Sequence, residues 1–450
     1  MKEQDKFILD IKRLGINGEG IGFYKRLAVF VDNAIPGEGH NVCVTKVLDK
    51  MAFAETFEIK HTSPDRIDIL CPHYKECGGC NVSHIKYNKM LEFKRDLIIE
   101  TLNRYSKINP KAFEIKQTLR SDLIYNYRNR SISSIKKIGE EYKPCMINPK
   151  TNEVISIDSC MLQNNIINEL NEKILKLAYD MNISLYLPKF NRGILRYISI
   201  RINQKNEALV CLVCGEKTNR IKELASEIIK LDNVKGVYEN FNTSKKEGVF
   251  FGPEMNLLEG EEYIIEEFNN VKYKLYPNTF FHLNTKQANN LYDVVLKSCK
   301  LSKKETVLFT NSGIGLVPVY LAKMTKEVIG IEYNKELINM ANENAKLNKL
   351  NNTKFYQGDT SQLLSKMLED KEVDIVVLEP SKTGVDPSVI DTIINNSIKK
   401  VIYVSSNLVS MAKDLDKLSN AYNINAITPI DMLPQTTGVE CVALLSLKNE

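Results

Sequence analysis

The sequence predicts an α/β chain in three parts: a short β-barrel over 1–60, a β-rich middle over 61–270, and a doubly wound, mostly parallel sheet over 271–450. Three observations predict it. From about residue 275, continuous apolar runs alternate with helical spacing, as in strands buried on both faces of a parallel sheet. Residues 1–60 alternate short apolar strands with Gly and Pro turns, the punctuation of a small barrel. Between these parts, Cys71-Pro72-His73-Tyr74-Lys75-Glu76-Cys77-Gly78-Gly79-Cys80 places three cysteines in one short loop.

At 450 residues, with 43% hydrophobic and 26% charged side chains, the chain can hold two or three domains that each bury a core. No apolar run reaches the length of a membrane-spanning helix, so no membrane partner is expected. The formal charge of +5 permits a polyanionic partner without requiring one. The charged start, Met1-Lys2-Glu3-Gln4-Asp5-Lys6, has no signal-peptide pattern, and the expected setting is the cytoplasm, where thiols stay reduced.

Taken in order, 7–11, 28–31 and 41–47 read as barrel strands separated by Gly15, Gly18, Gly20, Gly22 and the Pro36-Gly37-Glu38-Gly39 turn. The cysteine loop reads as a metal site. Gly78 and Gly79 let the backbone wrap closely, and three thiols from a tight loop call for a fourth ligand from elsewhere, for which Cys160 is the candidate. Spacing alone leaves zinc and an iron-sulfur cluster both open. Cys43, Cys145, Cys211, Cys214, Cys299 and Cys441 lie mostly in apolar runs and read as core. Cys211 and Cys214 form a C-x-x-C pair, but in a strand they face opposite ways.

Residues 84–98 have helical spacing with basic residues between the apolar ones. Tyr125-Asn126-Tyr127-Arg128-Asn129-Arg130 interleaves aromatics with arginines, a mixture that stacks on bases and holds phosphates, or else a solvated strand edge. Strands are expected over 194–203 and 207–214, with Arg196 and Arg201 projecting from the first. In the C-terminal part, 305–309, 328–332, 374–380 and 400–405 read as buried parallel strands, with a Gly turn at Ser312-Gly313-Ile314-Gly315 leading into a helix through Leu321. Glu332 ends the second of these strands. There a carboxylate can accept hydrogen bonds from both hydroxyls of a ribose.

The Gly-Glu-Gly-Ile-Gly, Val-Phe-Val and Pro-Gly-Glu segments of the barrel resemble a TRAM domain, an OB-like RNA-binding barrel, in which Lys46 and Lys50 would face phosphate. Barrel, cysteine loop and C-terminal sheet together resemble the RNA uracil-5-methyltransferases that carry a TRAM domain and a 4Fe-4S cluster. The resemblance implies a Rossmann-like methyltransferase sheet that binds S-adenosylmethionine, preceded by an OB-like β-barrel and a cluster-binding central domain. It makes Cys71, Cys77, Cys80 and Cys160 cluster ligands. It implies structured RNA as the partner, ribosomal more than transfer RNA, and a monomer.

In that family a cysteine thiolate adds to uracil C6, C5 takes the methyl group, and a base then removes the C5 proton to expel the thiolate. The target base is taken out of its stack. The family's Ser-Cys-Asn-Pro turn reads Ser405-Ser406-Asn407-Leu408 here, so a hydroxyl, that of Ser406, stands at the nucleophile position. The family's Phe-Phe-Gln-x-Asn reads Phe280-Phe281-His282-Leu283-Asn284. Its Asp-Leu-Tyr-Cys-Gly-x-Gly-Thr reads Phe309-Thr310-Asn311-Ser312-Gly313-Ile314-Gly315-Leu316, and its Asp-Pro-Pro-Arg reads Glu379-Pro380-Ser381-Lys382. By position, the cofactor contacts would be His282, Asn311, Leu316, Glu332, Asp359 and Glu379. Glu440, in Gly438-Val439-Glu440, matches the base of the family's His-Val-Glu. Cys441 adjoins it but alternation turns it to the other face. The resemblance implies an RNA-binding relative with impaired methyl transfer, with an active 5-methyluridine methyltransferase as the alternative.

Overall fold

The computed structural model describes residues 1–246 and 248–448. They pack as two compact units, one of Met1–Ser121 with Pro380–Glu450 and one of Asp122–Glu379. No described helix is long and apolar enough to cross a membrane.

The first unit opens with a closed five-stranded barrel of Lys6–Leu14, Gly20–Tyr24, Leu27–Val31, Gly39–Leu48 and Met51–His61. Alternation turns Leu9, Ile11, Val29, Val31, Val42, Val44, Ala52 and Ala54 inward, and these form its core. Glycine is required at Gly22, where a Cβ would lie 2.5 Å from the Asp10 carbonyl oxygen and 2.6 Å from the Leu9 side chain. The fifth strand, Met51–His61, goes beyond the sequence reading: its second half is exposed and charged, so it lacks a long apolar run. Gly39–Leu48 supplies its partner.

The helix expected over 84–98 runs Tyr87–Tyr105 and buries Met90, Phe93, Leu97, Ile98 and Leu102. One of its basic residues is not solvated: Lys94 is buried at 1% exposure and pairs with Asp431. The helix packs on Leu408–Leu418. The rest of the unit is a sheet in the order Lys400–Ser405, Glu440–Leu447, Tyr422–Ile430, Glu114–Ile115.

The second unit contains a seven-stranded sheet in the order Met255–Gly260, Val234–Phe241, Ala208–Cys214, Leu195–Ile202, Arg130–Ile138, Glu141–Ile147, Val154–Ser156. Helices Asn165–Asp180 and Asn219–Ile228 cover one face of it. Cys214 joins that packed face, while the Cys211 thiol lies against the Met255 sulfur at 3.6 Å, so the two cysteines diverge as alternation requires. The other sheet is parallel, in the order Thr353–Gln357, Glu327–Glu332, Thr306–Thr310, Ile375–Leu378. Three of its strands, Glu327–Glu332, Thr306–Thr310 and Ile375–Leu378, agree with the sequence reading to within one or two residues at each end, and Thr353–Gln357 is a strand beyond that reading.

Candidate functional site

The turn after Thr306–Thr310 is shaped by backbone that few residues tolerate. Asn311, Gly313 and Gly315 have φ of 54°, 54° and 78°, so the chain folds tightly into helix Leu316–Ala322, all of it buried. Glu332, the last residue of the neighbouring strand, holds this turn in place. One carboxylate oxygen accepts the Gly313 amide at 3.0 Å and the other the Asn334 amide at 2.9 Å. A carboxylate offers about four lone-pair sites, so it can take two further hydroxyl donors, the arrangement a vicinal diol requires.

Asp359 caps helix Thr360–Asp370, accepting the Ser361 amide at 2.7 Å, and is exposed. Leu316 is buried as the first residue of its helix. Asn311 donates to the Glu379 carbonyl at 3.3 Å, joining the turn to the end of the next strand. Glu379 is half-buried, and desolvation of its side chain pushes its carboxyl up from 4.5 to about 7. Folding stability from this group is therefore full below about pH 4.5 and falls as pH rises through about 7.

His282 is buried among the rings of Phe280 and Tyr292, with centroids 5.6 and 5.7 Å away, and burial lowers it to about 4, so it is a neutral imidazole at pH 7. Two side chains that sequence reasoning missed fix these loops. Asn344, fully buried, donates to the Ile314 carbonyl at 3.0 Å and accepts the Lys274 amide at 2.9 Å. Its only sequence signal was an amide on the apolar face of a helix. Asn129 donates to the His282 carbonyl at 2.8 Å and to Thr285 at 2.9 Å. Of the segment 125–130, read as a nucleic-acid contact or a solvated strand edge, Tyr127 and Asn129 are buried and so face neither, and Arg130 lies over the Phe251 ring. Arg201 does not project either. It is buried and donates to the Thr279 carbonyl. Arg196 holds the carbonyls of Asn242 and Ser244.

In the first unit, Ser405 pairs with Cys441 across antiparallel strands. One step outward, Ser406 and Glu440 reach the same end of the two strands. Ser406 is exposed in the turn between strand Lys400–Ser405 and helix Leu408–Leu418, and no hydrogen bond reaches its hydroxyl among the described residues. Asn407 caps that helix through the amides of Val409 and Ser410, and its own amide group donates to the Lys382 carbonyl at 2.8 Å. The Cys441 thiol is fully buried, and burial holds it far above its usual range, which rules it out as a ready thiolate.

The cysteine loop turns through the short helix Tyr74–Cys77, ended by Gly78 at φ 67°. Cys71, Cys77 and Cys80 are half-buried, and Tyr74 bonds His84 Nδ1 at 2.9 Å beneath them. Among the described residues no three His, Cys, Asp or Glu side chains are gathered for a metal ion. Cys160 belongs to the second unit, where Asn168 clamps its backbone in both directions, at 3.2 and 3.1 Å.

Residues 86–448 match the family described as tRNA (Uracil-5-)-methyltransferase. An uncharacterized RNA methyltransferase of Halalkalibacterium halodurans is 34% identical over 450 residues, covering 99% of this chain and 97% of that protein. A second, of Enterococcus faecalis, is 31% identical over 452 residues, covering 100% of this chain and 99% of its own length. The crystal structure of the Pyrococcus abyssi tRNA (uracil-54, C5)-methyltransferase in complex with S-adenosyl-L-homocysteine superposes with a TM-score of 0.78 at 26% identity, covering 98% of this chain and 100% of that one. Mixed α/β architecture, an amino-terminal barrel and full-length similarity agree, and the chain belongs to the tRNA (uracil-5-)-methyltransferase family.

Proposed function

We propose that this chain is an RNA-binding member of the family whose methyl transfer to uridine C5 is impaired because Ser406 stands at the nucleophile position. The observation that carries this reading is the exposed, unassisted hydroxyl of Ser406 at the same strand end as Glu440. In this reading 1–60 is a TRAM-type RNA-binding barrel, 61–270 carries the cluster, and 271–450 is the methyltransferase part of a cytoplasmic monomer. Structured RNA is the partner, with ribosomal RNA put first and transfer RNA as the other arm of any binding test.

S-adenosylmethionine, when bound, supplies an electrophilic methyl group. Glu332 would hold its ribose hydroxyls and Asp359 its adenine side, with His282, Asn311, Leu316 and Glu379 completing the pocket. Calorimetric titration with S-adenosylmethionine tests this. A cationic ligand favours the ionised form of a carboxyl poised at about 7. Affinity should therefore rise by up to about tenfold from pH 6 to pH 8, and Glu379→Gln should flatten the profile. Absence of binding heat at either pH would remove the cofactor from the proposal.

The cluster is proposed on Cys71, Cys77, Cys80 and Cys160. Anaerobically purified protein should be brown, with about four irons per chain. Cys160→Ser should lose most of that iron and Cys299→Ser none, because Cys299 is fully buried in its helix. Stoichiometric zinc without iron would replace the cluster by a zinc site.

A further inference from the structure

Strands Tyr422–Ile430 and Glu440–Leu447 pair up to Ile430 and Glu440, so the connection over 431–439 closes directly on the carboxylate at the base position. With Pro434, Thr436, Thr437 and Gly438 it has the composition of a mobile loop. Gly438 lacks any side chain to pack, where the family has a histidine, and Gln435 sits at φ 70°. Yet the connection is held from two directions. The Lys94 ammonium has three donors, and it directs them to the Asp431 carboxylate, the Leu433 carbonyl at 3.3 Å and the Gly438 carbonyl at 2.7 Å, tying both ends together. From the other side, the Asn81 and Val82 amides donate to the Gln435 carbonyl at 3.2 and 3.3 Å. The Asn81 side chain accepts the Thr437 amide at 3.0 Å and donates to the Thr437 hydroxyl at 3.3 Å. Within the connection, Thr436 closes a turn by bonding the Leu433 carbonyl at 2.8 Å and the Gly438 amide at 3.1 Å.

We propose that Asn81 and Lys94 are positioning residues for Glu440, clamping 431–439 between the residue that follows the cysteine loop and the buried face of helix Tyr87–Tyr105. Proton removal demands a base held within about half an ångström of its working place. The clamp provides that here without a side chain at position 438. It also makes the backbone after Cys80 part of the support for Glu440, so a change in the cysteine loop is felt at the base. The inference rests on Glu440 as the base position, but its test needs neither RNA nor methyl transfer, so the two fail separately.

The test compares wild type, Asn81→Ala and Asn81→Asp in two measurements. One is hydrogen–deuterium exchange of peptides covering 432–440. The other is a pH titration of the Glu440 carboxyl by carbon-13 NMR, assigned with Glu440→Gln. Asn81→Ala should raise exchange in 432–440 by about tenfold or more, the loss of roughly 1.4 kcal/mol or more, and should move the Glu440 titration. Asn81→Asp keeps the acceptor for the Thr437 amide and should restore most of both. Should Asn81→Ala also lower the melting temperature of the whole protein, Thr437→Val, which removes only the hydroxyl, gives the same two readings with smaller changes. Wild-type exchange in these variants would overturn the proposal. So would faster exchange that leaves the Glu440 titration in place.

Discussion

RNA carrying 5-fluorouridine is expected to form no denaturation-resistant adduct with the wild-type protein, with or without S-adenosylmethionine, and Ser406→Cys is expected to form one if the cofactor pocket is intact. The adduct needs a nucleophile at C6, and fluorine at C5 then blocks the proton loss that would release it. The hydroxyl of Ser406 is exposed, and among the described residues nothing hydrogen-bonds it as a base would. An unassisted hydroxyl is almost never ionised at pH 7, whereas a few per cent of a free thiol is. Removing a catalytic nucleophile costs about a millionfold in turnover in well-studied cases. Methyl transfer by the wild-type protein should therefore fall below detection. Ser406→Cys supplies the thiolate that adds at C6, so it should regain adduct by several orders of magnitude over wild type. Adduct from the wild-type protein would overturn this expectation. So would a 5-methyluridine that disappears with the gene and returns with the wild-type protein but not with Ser406→Ala. Either result would make the chain an active methyltransferase that uses serine.

Lys94→Met is expected to cost about 3–5 kcal/mol of folding stability, the loss typical when one partner of a buried ion pair is removed. Both members of the Lys94–Asp431 pair are essentially inaccessible, with side-chain exposures of 1% and 0%. Without the ammonium, the Asp431 carboxylate loses its cationic partner while the Tyr87 hydroxyl still donates to it at 2.7 Å, and the Leu433 and Gly438 carbonyls each lose the lysine as a donor. Methionine fills the space of the lysine stem, so the loss reports on charge and hydrogen bonding and not on a cavity. Urea unfolding followed by circular dichroism measures it. The double change Lys94→Met with Asp431→Asn should recover a large share, because the stranded charge is gone. A single variant within about 0.5 kcal/mol of wild type would show that the pair holds nothing in place.

Much of the architecture was legible because it is local. The continuous apolar runs of 305–309 and 328–332, the Gly313 and Gly315 turn, and the glycines of the barrel each encode their conformation within a few residues, through side-chain period and permitted φ. The replacement at Ser406 was equally legible, since it is a change of residue type inside a recognisable turn. The supports of the candidate site were not. Lys94 reads as one more basic residue on an amphipathic helix until Asp431, 337 positions away, is folded against it. Asn81 gains its role from Thr437, 356 positions on. Asn129 looked like part of a nucleic-acid contact and Arg201 like a projecting strand residue, and burial made them props for the segment 279–285. A polar side chain carries no mark of its distant partner. Whether it meets water, phosphate or a buried carbonyl is decided by which elements pack over it, because only packing sets the desolvation that a hydrogen bond must offset.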